Sequence, residues 1–202
     1  NTQEDISHVD VAAVDGVARI FYATGAKVTE LGEDGAETRV LCGRDALMPG
    51  PISAMACVEN SCEVFLFVAS EGCLASVNVK DPAGSEECNP VDQTPPGTVT
   101  SMLADNDVQR LLIAADDGTV YCYNTLLHEF KDTNFEHEPN NKIHNLRGSR
   151  RQLEVNGGTQ LKLSGLKCVS YSDKGFFKVT YGSMPKSSVS ETKSFDAAIR
   201  CM

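Results

Sequence analysis

Cysteine is the residue type with the clearest chemical potential in this sequence. The eight cysteines are scattered along the chain: Cys42, Cys57, Cys62, Cys73, Cys88, Cys122, Cys168 and Cys201. They lack the paired C-x-x-C spacing on which zinc modules depend. An even, scattered set favours disulfide bonds and an oxidising compartment, with buried thiols that pack as small apolar groups as the alternative. All eight are therefore disulfide candidates, and the predicted location is extracellular, at the cell surface or in the secretory lumen.

The pairing of the cysteines stays open, because a set of eight permits many connectivities. Cys168 and Cys201 both lie in the basic C-terminal part of the chain, which favours a bond between them. Cys57 and Cys62 flank a predicted turn, so they form a second candidate pair.

Histidines and carboxylates offer few sites for metal chemistry. One group has the right ligand types for a metal: His128, Glu129, His137, Glu138 and His144. Its spacings fit no standard site, and the segment is typical of a solvated polar loop. We therefore predict no metal ligand.

Two acidic-glycine segments provide oxygen atoms of the kind that calcium prefers. They are Glu33-Asp34-Gly35 and Asp116-Asp117-Gly118. Neither continues into the alternating acidic pattern of a calcium loop, and hairpin turns account for both. No G-x-S-x-G elbow, glycine-rich phosphate loop or H-E-x-x-H motif occurs, so we also predict no catalytic and no cofactor-binding residue.

The elements that carry these residues recur with a period near 46 residues. One unit opens at residues 52–56 and continues through Val64–Ser70 and 74–79, and a second opens at residues 99–104 and continues through 111–115 and 120–124. A fainter copy precedes them over residues 9–31. Each unit alternates β-branched and aromatic runs with an acidic residue followed by glycine, which predicts strands joined by tight turns.

Several antiparallel strands in each repeat of this length are typical of propeller blades. Residues 111–124 resemble the blades of WD-repeat, NHL-repeat and quinoprotein-like propellers, which place an acidic residue and glycine in a hairpin ahead of an aromatic strand. The resemblance implies an all-β fold of propeller-like repeats, of which three are recognisable. Propellers typically need at least four blades to close, so three alternatives stay open: the basic C-terminal part supplies further strands, another chain completes the ring, or the sequence is part of a larger protein. The chain has no tryptophan and thus lacks the Trp-Asp dipeptide of WD repeats.

Charge divides the chain into an acidic and a basic part. Residues 1–140 hold 7 basic and 24 acidic residues, a net charge of −17, whereas residues 141–202 hold 11 and 4, a net charge of +7. We predict a propeller-like repeat region at 1–134, a linker or exposed loop at 135–151, and a basic β-rich segment at 152–202.

These features predict a non-enzymatic scaffold that binds a protein partner or further copies of itself. The basic part is expected to dock on an acidic protein surface rather than on nucleic acid. The longest apolar stretches are far shorter than the roughly 20 residues of a membrane span, so no span is predicted. Two alternatives remain, a metal-dependent hydrolase of the propeller type, similar to NHL or lactonase enzymes, and a structural subunit of an extracellular filament or coat.

Overall fold

The computed structural model describes the backbone of ten segments: residues 5–32, 34–42, 48–59, 62–80, 89–106, 109–136, 143–150, 166–172, 177–181 and 188–193. The description of side chains extends through residue 130. Every regular element in these segments is a strand, which confirms the all-β class. None of the described residues belongs to a helix that is long and apolar enough to cross a membrane.

The strands form four antiparallel sheets of four strands each, in chain order. The first sheet contains β1 (Ile6–Val14), β2 (Val17–Thr24), β3 (Lys27–Leu31) and β4 (Glu37–Cys42). The second contains β5 (Ala54–Glu59), β6 (Val64–Ser70), β7 (Cys73–Asn78) and β8 (Asn89–Pro90). The three recognisable units of the sequence lie in the first three sheets.

The third sheet contains β9 (Val99–Asp105), β10 (Arg110–Ala115), β11 (Thr119–Asn124) and β12 (Glu129–Glu136). The fourth contains β13 (Ile143–Arg150), β14 (Leu166–Ser172), β15 (Phe177–Tyr181) and β16 (Ser188–Lys193). The expectation of a linker or exposed loop at 135–151 therefore fails for residues 143–150, where β13 pairs with β14. Sheet pairing overrides the polar, glycine-containing composition that favours a loop there.

The four sheets pack in a row through their first strands. β1 contacts β5, β5 contacts β9, and β9 contacts β13. One core cluster fills the space between the first and second sheets around Phe21, Leu66 and Val68. A second cluster lies between the second and third sheets around Phe67 and Ile113.

A hydroxyl bond recurs in the first three sheets and marks them as copies of one unit. In each, a Ser or Thr at the start of the first strand donates to an alanine carbonyl near the end of the second strand. The bonds are Ser7 Oγ to Ala23 O at 3.3 Å, Ser53 Oγ to Ala69 O at 3.4 Å, and Thr100 Oγ1 to Ala114 O at 3.2 Å. The period near 46 residues thus corresponds to repeated atomic contacts as well as to repeated strands.

Candidate interaction surface

The first sheet presents two faces, and one of them is filled by its neighbour. Successive residues of a strand point to opposite faces, and the register places Asp10 opposite Phe21 and Val11 opposite Ile20. The face with Phe21 packs on the second sheet, and Phe21 is fully buried there. The face with Val11 points away from the second sheet.

That second face is apolar and exposed, and we call it the open face. Its members are Ile6, Val9, Val11 and Ile20, with exposed fractions of 60%, 60%, 52% and 39%. The first three belong to β1 and the last to β2, so they form a continuous patch across two paired strands. Contiguous exposed apolar patches on a folded chain are typical of interaction surfaces.

The corresponding face of the second sheet is covered. The pair Val11 and Ile20 corresponds by register to Cys57 and Leu66, each 46 residues later. Cys57 is 6% exposed and Leu66 is fully buried, because the first sheet packs on them. The open face therefore occupies the position that, one sheet later, is buried in a sheet-to-sheet contact.

An arginine clasp joins the outer strands of the first sheet to the second. Glu30 on β3 is buried, and its carboxylate accepts bonds from Arg19 Nη1 at 3.3 Å and Arg39 Nε at 2.5 Å. Both guanidinium groups also donate to the carbonyl of Val79, with Nη1 of Arg19 at 3.2 Å and Nη2 of Arg39 at 2.7 Å. Charged bonds of this kind hold the first sheet in a fixed position on the second.

Side chains also bond across the boundaries between the first strands. The N–H of Ala13 donates to Glu59 Oε1 at 2.9 Å, and the N–H of Glu59 donates to Asn106 Oδ1 at 3.1 Å. A third bond runs from the N–H of Cys57 to Asp10 Oδ2 at 2.6 Å. These backbone N–H groups have no partner in strand pairing, and side chains of the adjacent sheet accept their hydrogen bonds. The bonds fix the spacing of the sheets.

The eight cysteine candidates fall into three groups. Cys42, buried at the end of β4, is disulfide-bonded. Four candidates are thiols, so the expectation of disulfides is wrong for Cys57, Cys62, Cys73 and Cys122, and with it the predicted Cys57–Cys62 pair. Cys88 and Cys201 lie outside the described residues, as does the side chain of Cys168, so the predicted Cys168–Cys201 pair stays a prediction.

Burial explains the chemistry of Cys57. Removal from water raises the pKa of this thiol far above its usual value, and the nearby carboxylates of Asp10 and Glu59 raise it further. A thiol in this environment stays protonated and is a poor nucleophile. Its place in the core between the first two sheets is that of a small apolar group, in line with the alternative weighed from the sequence.

The histidine group lies mostly outside the described part of the chain. His128 lies in the turn before β12, with its Nδ1 3.5 Å from the Tyr123 hydroxyl. His137 and Glu138 are outside the described residues, and the side chain of His144 in β13 is not described. Among the described residues, no group of three or more His, Cys, Asp or Glu side chains has the geometry of a metal site.

The acidic-glycine segments form turns, as predicted. Asp117 Oδ1 accepts the N–H of Thr119 at 2.8 Å, and its Oδ2 accepts the Tyr121 hydroxyl at 2.5 Å. Gly118 has a φ of 90°, a left-handed value that suits glycine. In the other segment Asp34 Oδ1 accepts the N–H of Ala36 at 2.9 Å, whereas Glu33 is outside the described residues.

Sequence reasoning missed the open face, although β1 carries a signal for it. Val9 and Val11 alternate with Asp10, while Ala12 and Val14 place apolar groups on the opposite face. Apolar residues on both faces of a strand are typical of a sheet that is buried on both faces. The arginine clasp had no such signal, because Arg19, Glu30 and Arg39 lie on three different strands and meet only when these strands pair.

Comparison with known proteins supports the fold. No protein-family model matches the sequence, and none of the curated proteins matches it. Among solved structures, Raptor of Chaetomium thermophilum matches at a TM-score of 0.64 and 14% identity, over 96% of this chain and 17% of that one. The computationally designed Ika8 protein matches at 0.62 and 14%, over 96% of this chain and 51% of that one. The chain thus spans about half of one structure and a sixth of the other, and at this identity the likeness is one of fold alone.

Proposed function

We propose that this protein is a non-enzymatic assembly scaffold that binds another protein surface through the open face. The observation that carries the proposal is the contrast between Val11, which is half-exposed, and Cys57, which is buried at the corresponding position. Full burial of a fully exposed apolar side chain of this size gains about 1.5–3 kcal/mol, and Val11, which is 52% exposed, gains about half of that. Covering several such side chains therefore provides a sizeable driving force for association.

The shape of the surface points to a protein as the partner. The open face is a two-strand patch of branched aliphatic side chains, and the corresponding face of the second sheet packs on another sheet. Sheet faces pack through interdigitated side chains about 10 Å apart. A partner with a complementary apolar sheet or helix face fits this geometry.

The state of Cys42 supports an extracellular, cell-surface or lumenal location as part of the proposal. Its disulfide is of the kind that persists in oxidising compartments. The buried thiol of Cys57 is compatible with the same location, because its raised pKa protects it from oxidation.

Photo-cross-linking from the open face tests the proposal. A photoreactive residue at Val9 is expected to capture one defined protein chain, and that chain, once purified, should bind the wild type. Val11→Lys places a charge on the face and should abolish binding. Leu126→Lys is the matched control, because Leu126 is 61% exposed in the turn between β11 and β12 of the third sheet, away from the open face. Equal binding by both variants contradicts the proposal.

A further inference from the structure

We infer that the protein partner of the open face presents an apolar patch bordered by uncharged hydrogen-bond donors, and that Glu37 and Tyr22 accept those hydrogen bonds. This inference rests on the proposed function and names the chemistry of the partner at the same surface. Three observations carry it, namely the polar side chains beside the open face, the contrast with the covered face of the second sheet, and the balance of charge.

Polar side chains lie beside the open face on the same side of the first sheet. The register places Tyr22 directly opposite Val9. It also places Leu31 opposite Ile20, and Glu37 opposite Leu31. Residues directly opposite each other in an antiparallel pair share one face of the sheet. Tyr22 and Glu37 therefore share a face with the apolar residues Val9 and Ile20.

A hydrogen bond and an ion pair join these polar side chains. The Tyr22 hydroxyl donates to Glu37 Oε1, and Lys27 Nζ lies 3.5 Å from Glu37 Oε2. The hydrogen bond from Tyr22, followed by the charge of Lys27, lowers the pKa of Glu37. The carboxylate is therefore ionised at neutral pH and acts only as an acceptor. We call Tyr22, Lys27 and Glu37 the polar border.

The polar border has acceptor capacity left for a partner. An ionised carboxylate has about four lone-pair sites, and Tyr22 and Lys27 each occupy one of those on Glu37. The Tyr22 hydroxyl uses its hydrogen on Glu37, so its oxygen can still accept a bond. The side chain of Glu37 is 57% exposed. A partner that covers the border has to supply donors, because burial of an unsatisfied acceptor is costly.

The covered face of the second sheet is aliphatic at the corresponding positions. Tyr22 corresponds by register to Val68, and Thr29 to Ala75, each 46 residues later. Val68 and Ala75 are buried against the first sheet. Two residues with hydroxyl groups therefore stand where a sheet that receives another sheet has aliphatic side chains. A purely aliphatic partner face would leave the polar border unsatisfied, so the partner differs from the sheet faces inside this chain.

Charge is balanced on this side of the first sheet. Strands β1 to β4 hold three acidic and three basic residues. The arginine clasp uses three of these six on the opposite face, and Asp10 binds the backbone of the second sheet. Lys27 and Glu37 remain, and they neutralise each other. Uncharged donors therefore suit the polar border better than a cationic side chain, and association should depend little on salt.

Photo-cross-linking from two positions reads the chemistry of the partner. A photoreactive residue at Val9 probes the open face, and one at Val40, opposite Thr29 on β4, probes the polar border. Both are expected to capture the same protein chain. Mass spectrometry of the cross-linked peptides should identify apolar residues at Val9 and uncharged polar residues, such as Ser, Thr, Asn or Gln, at Val40.

Binding of the captured chain, once purified, tests the role of Glu37. Glu37→Ala should weaken binding about 10–100-fold, as expected for the loss of hydrogen bonds to a charged group, and Tyr22→Phe should weaken it less. Glu71→Ala is the matched control, because Glu71 is exposed in the turn between β6 and β7 of the second sheet. The wild-type affinity should change little as salt is raised. Free energies of unfolding establish that each variant is folded.

The contrary outcomes separate this inference from the proposed function. Aliphatic residues at both positions, from another protein or from a second copy of this chain, overturn the inference, as do Lys or Arg residues at Val40. Equal binding by Glu37→Ala and Glu71→Ala overturns it as well. In these cases the open face remains a binding surface as long as Val11→Lys abolishes binding. If Val11→Lys binds like the wild type, the proposed function fails, and the inference fails with it.

Discussion

Phe67 and Tyr123 meet edge to face across the boundary between the second and third sheets, with ring centroids 5.8 Å apart and planes inclined at 70°. Both rings are almost fully buried. Tyr123 also packs on Phe130 at a centroid distance of 5.1 Å, so the contact links β6 to two strands of the third sheet. Among the described side chains it is the one ring pair that joins two sheets, and it should contribute measurably to their docking.

A double-mutant cycle measures this contribution. Phe67→Leu and Tyr123→Leu each keep an apolar side chain but remove the edge-to-face geometry, and the coupling between them is expected to be about 0.5–1.5 kcal/mol. Denaturant unfolding of the two single variants and the double variant gives the value. A coupling of zero would mean that the two rings stabilise the chain independently and that the sheets do not dock through this pair.

Glu30 should be far more important for stability than another glutamate of the same sheet. Glu30→Ala leaves Arg19 and Arg39 without their carboxylate, and we expect a loss of about 2 kcal/mol, below the range for a fully buried pair because both guanidinium groups retain some contact with water. Glu37→Ala is the control, since Glu37 is exposed where it contacts Tyr22 and Lys27.

Chemical denaturation of the two glutamate variants compares their free energies of unfolding. The Glu37 variant should lose much less stability than the Glu30 variant. Similar losses for the two would show that the arginine clasp is no stronger than a surface contact.

Lower pH should destabilise the fold through His8. Burial lowers the pKa of this histidine below its ordinary value of 6.5, against a smaller opposing effect of a hydrogen bond with the backbone of Ser53. The unfolded chain therefore binds a proton before the folded chain does, and stability falls as the pH drops through 6.5 to the lowered pKa. His8→Gln should flatten the pH dependence of the unfolding free energy in this window. An unchanged pH profile would show that His8 has the same pKa in both states.

Cys57 and Cys42 should respond to different treatments. The buried Cys57 thiol should resist alkylation in the native protein and react once the chain is unfolded, without a reductant. Cys42 should react after unfolding only when a reductant is added, because it is disulfide-bonded. Peptide mapping after each treatment checks both. Alkylation of Cys57 in the native protein would contradict its place in the core.

Much of the fold was predictable because each repeat is specified by short-range sequence patterns. The strand runs and the Asp117-Gly118 turn are short-range signals, and the structure confirms them. The described part of the predicted β-rich segment at 152–202 contains the strands β14, β15 and β16. The strand β13 was missed, since arginine, asparagine and glycine in residues 143–150 favour a loop and only pairing with β14 makes them a strand.

Residues that are 46 positions apart in the second and third sheets point in opposite directions along the row of sheets. Ile113 follows Phe67 by 46 residues, yet Phe67 points from the second sheet towards the third and Ile113 points back towards the second. A slip of one residue exchanges the two faces of a strand, so equal spacing in sequence does not guarantee equal direction. The composition of β1 signals apolar residues on both faces, but which of these residues are exposed depends on which sheets are neighbours.

The most direct test of the account is carbene footprinting of native material over a dilution series, read at Val9, Val11 and Leu126. If the open face is a contact surface, labelling at Val9 and Val11 is low in concentrated material and rises on dilution, while labelling at Leu126 stays constant. Strong labelling of Val9 and Val11 at every concentration, at the level of Leu126, would contradict the central claim that the open face binds another protein surface.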